Sequence, residues 1–195
     1  AVTNLGTLQA VGGTLNINGI FVNENLIKAS GGSVSITGSS FQNDGTIQTA
    51  STSTITINTL NNYNSATKTL TDSQYYSSGL IRMPSGADIQ TNAADIVLNG
   101  SGLIYAGSTG TVNALVNFNN NSAAGSFTVT NGKRFNTSGN FSNAGTINID
   151  QTASFKVGAN GTSNYVQASG VTTVNGNLQA NVMDIDGGVL KGTGT

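Results

Sequence analysis

Two aspartates near the end of the chain, Asp184 and Asp186 in "DID", have the period-2 spacing that places both on one face of a strand. Paired carboxylates can bind Ca2+ or share acid/base work. A calcium ion asks for more oxygen ligands than this pair supplies, so a solvated strand edge with Ile185 inward is the simpler reading. Lys133 and Arg134 in "NGKRF" form the one basic doublet. It could meet an anionic glycan, although exposed charges at a bend contribute little. Tyr75 and Tyr76 in "DSQYYSS" are the one adjacent aromatic pair, and with Arg82 they are the candidates for contact with a sugar. The other acids are spread out; of these, Asp72 and Asp95 could approach across one turn of a repeating structure.

Much chemistry is excluded by what is missing. The 195 residues contain neither Cys nor His. Thiolate catalysis, disulfides, the usual structural zinc sites and the commonest general base are therefore ruled out. No catalytic, metal or cofactor-binding residue is expected, and the chain reads as a non-enzyme. With a formal net charge of -1 and 8% charged residues, no basic face for nucleic acid or an anionic membrane exists. No apolar run is long enough to span a bilayer, and no secretory leader is recognisable.

The elements that must position these residues are short strands. "TLNI", "SVSI", "STITI", "SFTV", "TINI" and "SFKV" alternate apolar and polar residues, the pattern of a half-buried strand. Gly, Asn, Asp and Ser between them turn the chain. Strands this short must stack into a larger sheet. A period makes the stacking specific. "VTNLGTL", "FVNENLI" and "FQNDGTI" put Asn4, Asn23 and Asn43 in register, 19 and then 20 residues apart. "FSNAGTI" repeats the third unit with Asn143, one hundred residues on.

A period near 20 with two or three short strands predicts an all-β, single-stranded parallel β-helix, a β-solenoid. Its hand is expected to be right, from the general preference of parallel crossovers. Residues 1–195 would form one solenoid domain of roughly nine or ten turns and a rod of about 45 Å. Coils are expected to be regular over 1–60 and 126–195 and less regular over 61–125. "TVNALVNF", Thr111 to Phe118, reads as one helical turn or a bent strand, and Pro84 as a bend or strand end. Asn4, Asn23, Asn43 and Asn143 are expected to ladder at one corner, each amide donating to the next carbonyl.

The "F-x-N-x-G-T-I" turns, "NNYNSATKTLT", "ADIQTNAADIVLNGSG", "FSNAGTINI" and "GGVLKGTGT" resemble bacterial surface β-strand-repeat proteins. They are similar to filamentous-haemagglutinin-type exoproteins and autotransporter passenger domains. The resemblance implies an extracellular or cell-surface location and a structural or adhesive role: an adhesin shaft, scaffold or matrix-fibre subunit, within a longer chain. Partners would be further coils of the same chain or other copies stacked end to end, and a surface glycan or host receptor. Two alternatives stand beside it. One is a glycan-binding or glycan-cleaving β-helix. The other is an ice-binding solenoid, suggested by alternating Thr in "TSTITI" and "TKTLT".

Overall fold

The computed structural model describes residues 1–195. The chain winds into a parallel β-solenoid of about nine turns of roughly 21 residues, without an α-helix. Each regular coil has three short strands, so the rod has three faces. In the first coil these are Val2–Asn4, Thr7–Ala10 and Thr14–Ile17. The next two coils repeat them as Ile20–Asn23, Leu26–Ala29 and Ser33–Ile36, then Ser40–Asn43, Thr46–Thr49 and Thr54–Ile57. Every strand pairs in parallel with its equivalent one coil on.

Alternation explains which side chains turn inward. Between the terminal coils, each four-residue strand buries its second and fourth positions and leaves the others nearer the surface. Because register is kept, inward residues form columns along the rod. On the second face one column runs Leu8, Ile27, Ile47, Tyr75, Ile96, Phe127, Ile147, Thr172, Leu190. On the third face Leu15, Val34, Ile55, Ile81 and Ile104 align. Most of these residues belong to one cluster of 38 buried apolar residues, with Leu8 and Leu15 packed half-buried against it. A one-residue slip would turn a whole column outward, so burial itself holds the register.

The middle coils depart from the pattern at two places. After the third coil the chain leaves the rod as a small hairpin, with Tyr63 opposite Leu70 and Asn64 opposite Thr69. It returns through Thr69–Ser77, a strand interrupted by a bulge at Asp72 and Ser73, where φ is 55° and 64°. The second departure follows Leu103–Ala106. Residues 111 to 118 form neither a helical turn nor a bent strand. Asn113 bridges Tyr105 in antiparallel fashion and turns follow. This segment covers the strand edge at Leu103–Ala106, and the third face resumes only at Arg134–Asn136. The segment ends in Phe118, which is fully buried against Phe127 and Phe141 at centroid distances of 4.9 and 5.0 Å. Pro84 directly follows the strand Leu80–Met83, where no ladder N–H is needed.

Coils pack as closely as backbone permits at the corners. A Cβ on Gly145 would lie 2.2 Å from the carbonyl oxygens of Gly125 and Ser122 in the coil below. Only glycine fits there.

Candidate functional site

The corner after the first strand carries the most organised polar chemistry of the molecule. The Asn4 amide donates to Asn23 Oδ1 at 2.8 Å, and Asn23 donates to Asn43 Oδ1 at 2.7 Å. A second run follows the hairpin: Asn92 donates to Asn121 and Asn121 to Asn143, each at 2.9 Å. Asn143 then donates to Thr172 Oγ1 at 3.1 Å. Each Oδ1 can also accept the backbone N–H two residues on, as Gly6, Ala94 and Gly145 show. That contact is an Asx turn, so the same side chain bends the chain and ties one coil to the next. Apart from Asn43, whose amide nitrogen finds no partner, every amide in the ladder donates inside the protein, and the arrangement is structural.

Asn92 and Asn121 were not among the ladder residues expected from the sequence. The hairpin lengthens the coil before Asn92, and the segment after Ala106 lengthens the next, so that Asn92 and Asn121 stand 29 residues apart. The local signal was present in "TNAA" and "NSAAG", where Asn precedes small corner residues.

Between the two runs the ladder is broken at the Asp72–Ser73 bulge. Tyr75 fills the gap, its phenol lying against the Asn43 amide without closing a hydrogen bond. Both polar atoms are buried and unpartnered. Tyr165, buried near the other end in register with Phe141, does find a partner: its hydroxyl meets Thr172 Oγ1 at 2.5 Å, and Thr172 donates to Gln167 at 2.6 Å. The two tyrosines should therefore respond differently to loss of the hydroxyl. Tyr75→Phe should leave stability unchanged or raise it by up to about 1 kcal/mol, whereas Tyr165→Phe should cost about 1 kcal/mol. Urea denaturation of both variants checks this; equal losses would contradict it.

Burial pushes the Tyr165 phenol up to about 12, its hydrogen bond to Thr172 opposing the rise. Tyr75 is raised further, first by burial. A phenol whose folded pKa exceeds its unfolded value of about 10 stabilises the fold fully below pH 10. That contribution is lost as pH climbs from about 10 towards 12. Alkaline titration followed by circular dichroism should show unfolding in this window, and Tyr165→Phe should move the midpoint upward.

The aromatic pair expected to meet sugar is split by the strand alternation. Tyr75 is fully buried and offers no ring to solvent. Tyr76, its neighbour, faces outward on the second face, where Asn99 Nδ2 donates to its hydroxyl at 3.0 Å. Arg82 lies on the third face, with its guanidinium donating to the carbonyls of Gly107 and Gly110 and sitting 6.0 Å from the Tyr105 ring centroid. The three residues do not form one site.

The charged candidates are also dispersed. Asp184 stands outward in register with Val166, and no group of three or more His, Cys, Asp or Glu comes together. Gln74, not Asp72, sits opposite Asp95 and donates to it at 2.6 Å. Lys133 is half-buried, which lowers its pKa, and its ammonium donates to the Gly102 carbonyl. Its neighbour Arg134 turns outward at the start of a strand. No threonine column exists either. Thr7, Leu26, Thr46, Gln74, Asp95, Ser126, Thr146 and Val171 succeed one another along the second face. Thr14, Ser33 and Thr54 on the third face give way to Leu80 and Leu103.

No family model, curated protein or solved structure matches this chain.

Proposed function

We propose that the chain is a segment of a rigid extracellular rod, serving as the shaft of an adhesin, a surface scaffold or a matrix fibre. One observation carries this reading: the inward column of the second face stays in register from Leu8 to Leu190 along the rod axis. A continuous column of packed side chains flanked by a hydrogen-bonded corner ladder resists bending and shear. Such quasi-one-dimensional stacks extend by adding like units. The absence of cysteine suits a chain exported unfolded, and the scattered acids supply no carboxylate cluster of the kind polysaccharide-cleaving β-helices use.

The terminal coils support extension. Met183 and Leu190, which continue inward columns, are 43% and 40% exposed. At the other end Val2, Leu5 and Val11 are exposed. Another coil, from the same polypeptide or a second copy, would cover them and pair the open strand edges. Head-to-tail contact of this kind does not close, so copies would form filaments. Electron microscopy and light scattering of the 195-residue chain at rising concentration should show rods that lengthen end to end. Met183→Lys with Leu190→Lys should leave single rods, because each buried ammonium would lack a partner. Release of reducing ends from any polysaccharide would overturn the non-enzymatic reading.

A further inference from the structure

The corner between the second and third faces holds an open groove of about 470 Å3. Its lining includes Lys28, Gln48, Tyr76, Asn99 and Asn131, with serines of successive turns between them, and no carboxylate. Three of these residues stand in one outward column: Lys28 beside Gln48, and Gln48 beside Tyr76, with Val97 next. The lining residues come from five successive coils, so the groove runs parallel to the rod axis for about 19 Å.

Tyr76 is the feature that gives this groove a ligand. Its hydroxyl is held by Asn99 Nδ2, one coil on and two residues further along the strand. Reaching that amide makes the ring lie along the sheet surface instead of standing away from it. The same Asn99 amide donates to Ser78 Oγ at 2.8 Å, and Ser101 Oγ donates to the Ser78 carbonyl at 2.9 Å, which pins the ring's supports to the corner. The result is a half-buried aromatic platform with carboxamides on either side of it along the axis, at Gln48 and Asn131, and a single ammonium at one end, Lys28.

We propose that this groove binds an extended segment of a neutral polysaccharide lying along the rod. The apolar C–H face of one sugar stacks on Tyr76, as amphipathic aromatic surfaces accept groups that are apolar on one side and wet on the other. Carboxamides, which both donate and accept, match sugar hydroxyls, which do the same. A nucleic acid would need many phosphate-neutralising cations, and a cationic ligand would need acids; the groove has one cation and no acid. Its open, elongated shape suits an internal stretch of polymer better than an enclosed small molecule. The groove turns a passive rod wall into a lateral attachment line. It does not depend on end-to-end assembly, so an intact single rod can bind along its side.

The test uses the 195-residue chain with maltohexaose, cellohexaose, xylohexaose and chitohexaose, and with an oligogalacturonate as the acidic comparison. Calorimetry gives affinity and 15N–1H spectra give location. At least one neutral hexasaccharide should bind and shift the signals of Gln48, Tyr76 and Asn99. Tyr76→Ala should weaken it about tenfold, the worth of one aromatic contact. Tyr76→Phe should retain most of the affinity, and Tyr105→Ala on the third face should retain all of it. Should Tyr76→Ala fold poorly, the paired surface change Gln48→Ala with Asn131→Ala should weaken binding by a similar factor. Binding by none of the neutral sugars, binding of the oligogalacturonate alone, or affinity indifferent to both the Tyr76 and the Gln48/Asn131 changes overturns the proposal. Filament formation, measured separately, reports on the rod and not on the groove.

Discussion

Phe127→Ala should cost about 3–5 kcal/mol of folding stability, the largest single-residue loss in the molecule. Phe127 is fully buried at the centre of an aromatic cluster. Its ring lies 4.9 Å from both Phe118 and Phe135 and 6.0 Å from Phe155. Phe141 joins through Phe118 and Phe155, at 5.0 and 5.1 Å. The cluster sits where the third face is interrupted after Ala106, so it replaces strand pairing that the other coils have. Removing the ring leaves a cavity whose walls are held by the strands around them, and little relaxation is possible. In a stack stabilised by nearest-neighbour contacts, damage at one interface loosens the coils on both sides. Urea denaturation should therefore show the midpoint falling. Hydrogen exchange should rise first in residues 103–155 and later near the third coil. Phe155→Leu, which keeps most of the apolar volume, should lose much less. A Phe127→Ala protein with near-normal stability would mean the rings do not bridge the interrupted face.

Asn121→Ala should cost about 2–4 kcal/mol, and more than the same change at Asn4. Asn121 is fully buried; it accepts from Asn92 and donates to Asn143, and its amide also reaches the carbonyls of Gly125 and Thr146 at 3.2 and 3.1 Å. Truncation removes all four contacts and leaves neighbouring polar groups partly unsatisfied where water does not reach. Asn4 is the ladder's first member: it donates to Asn23 Oδ1 and the Leu26 carbonyl but accepts from no ladder amide and is less deeply buried, so its loss should cost about 1 kcal/mol. Asn121→Asp separates polarity from volume. The new carboxylate keeps the acceptor for Asn92 but turns a second oxygen towards Asn143 Oδ1, which now accepts the Asn121 amide. Burial and this repulsion should raise its folded pKa above the unfolded value of about 3.9. Such a group stabilises the fold below its unfolded pKa and loses that contribution as pH rises through the folded pKa. The variant should accordingly be weakest near neutrality and recover stability towards pH 4. A flat pH profile for Asn121→Asp would argue against a buried, proton-coupled ladder.

Much of the architecture could be read from residue order because a solenoid is built from local repetition. The pairs Leu15 and Ile17, Val34 and Ile36, and Ile55 and Ile57 show period 2 and a step near 20, and they do stack in register. The same regularity placed Asn4, Asn23 and Asn43 at one corner. Reading failed where the step changed. The hairpin at Tyr63 to Leu70 and the segment after Ala106 carry no repeat, and they hid Asn92 and Asn121. It failed again at Tyr75 and Tyr76, where adjacency suggested a common surface; strand alternation sends neighbours to opposite sides.

Composition, alternation and the spacing of Asn and Gly were enough to specify a parallel stack of short strands with a polar corner. Burial of one apolar face per strand admits only one register, and a corner that bends alike in every turn recurs at a constant step. Tertiary structure alone decided which residues share a surface. Gln48, Tyr76 and Asn131 lie far apart in sequence yet border one groove. Arg82, close to Tyr76 in sequence, looks out from another face. In a coil, sequence neighbours diverge around the rod while residues of successive turns meet along it. The surface chemistry is consequently set by coil lengths, and the hairpin and the segment after Ala106 change those lengths without leaving any periodic trace.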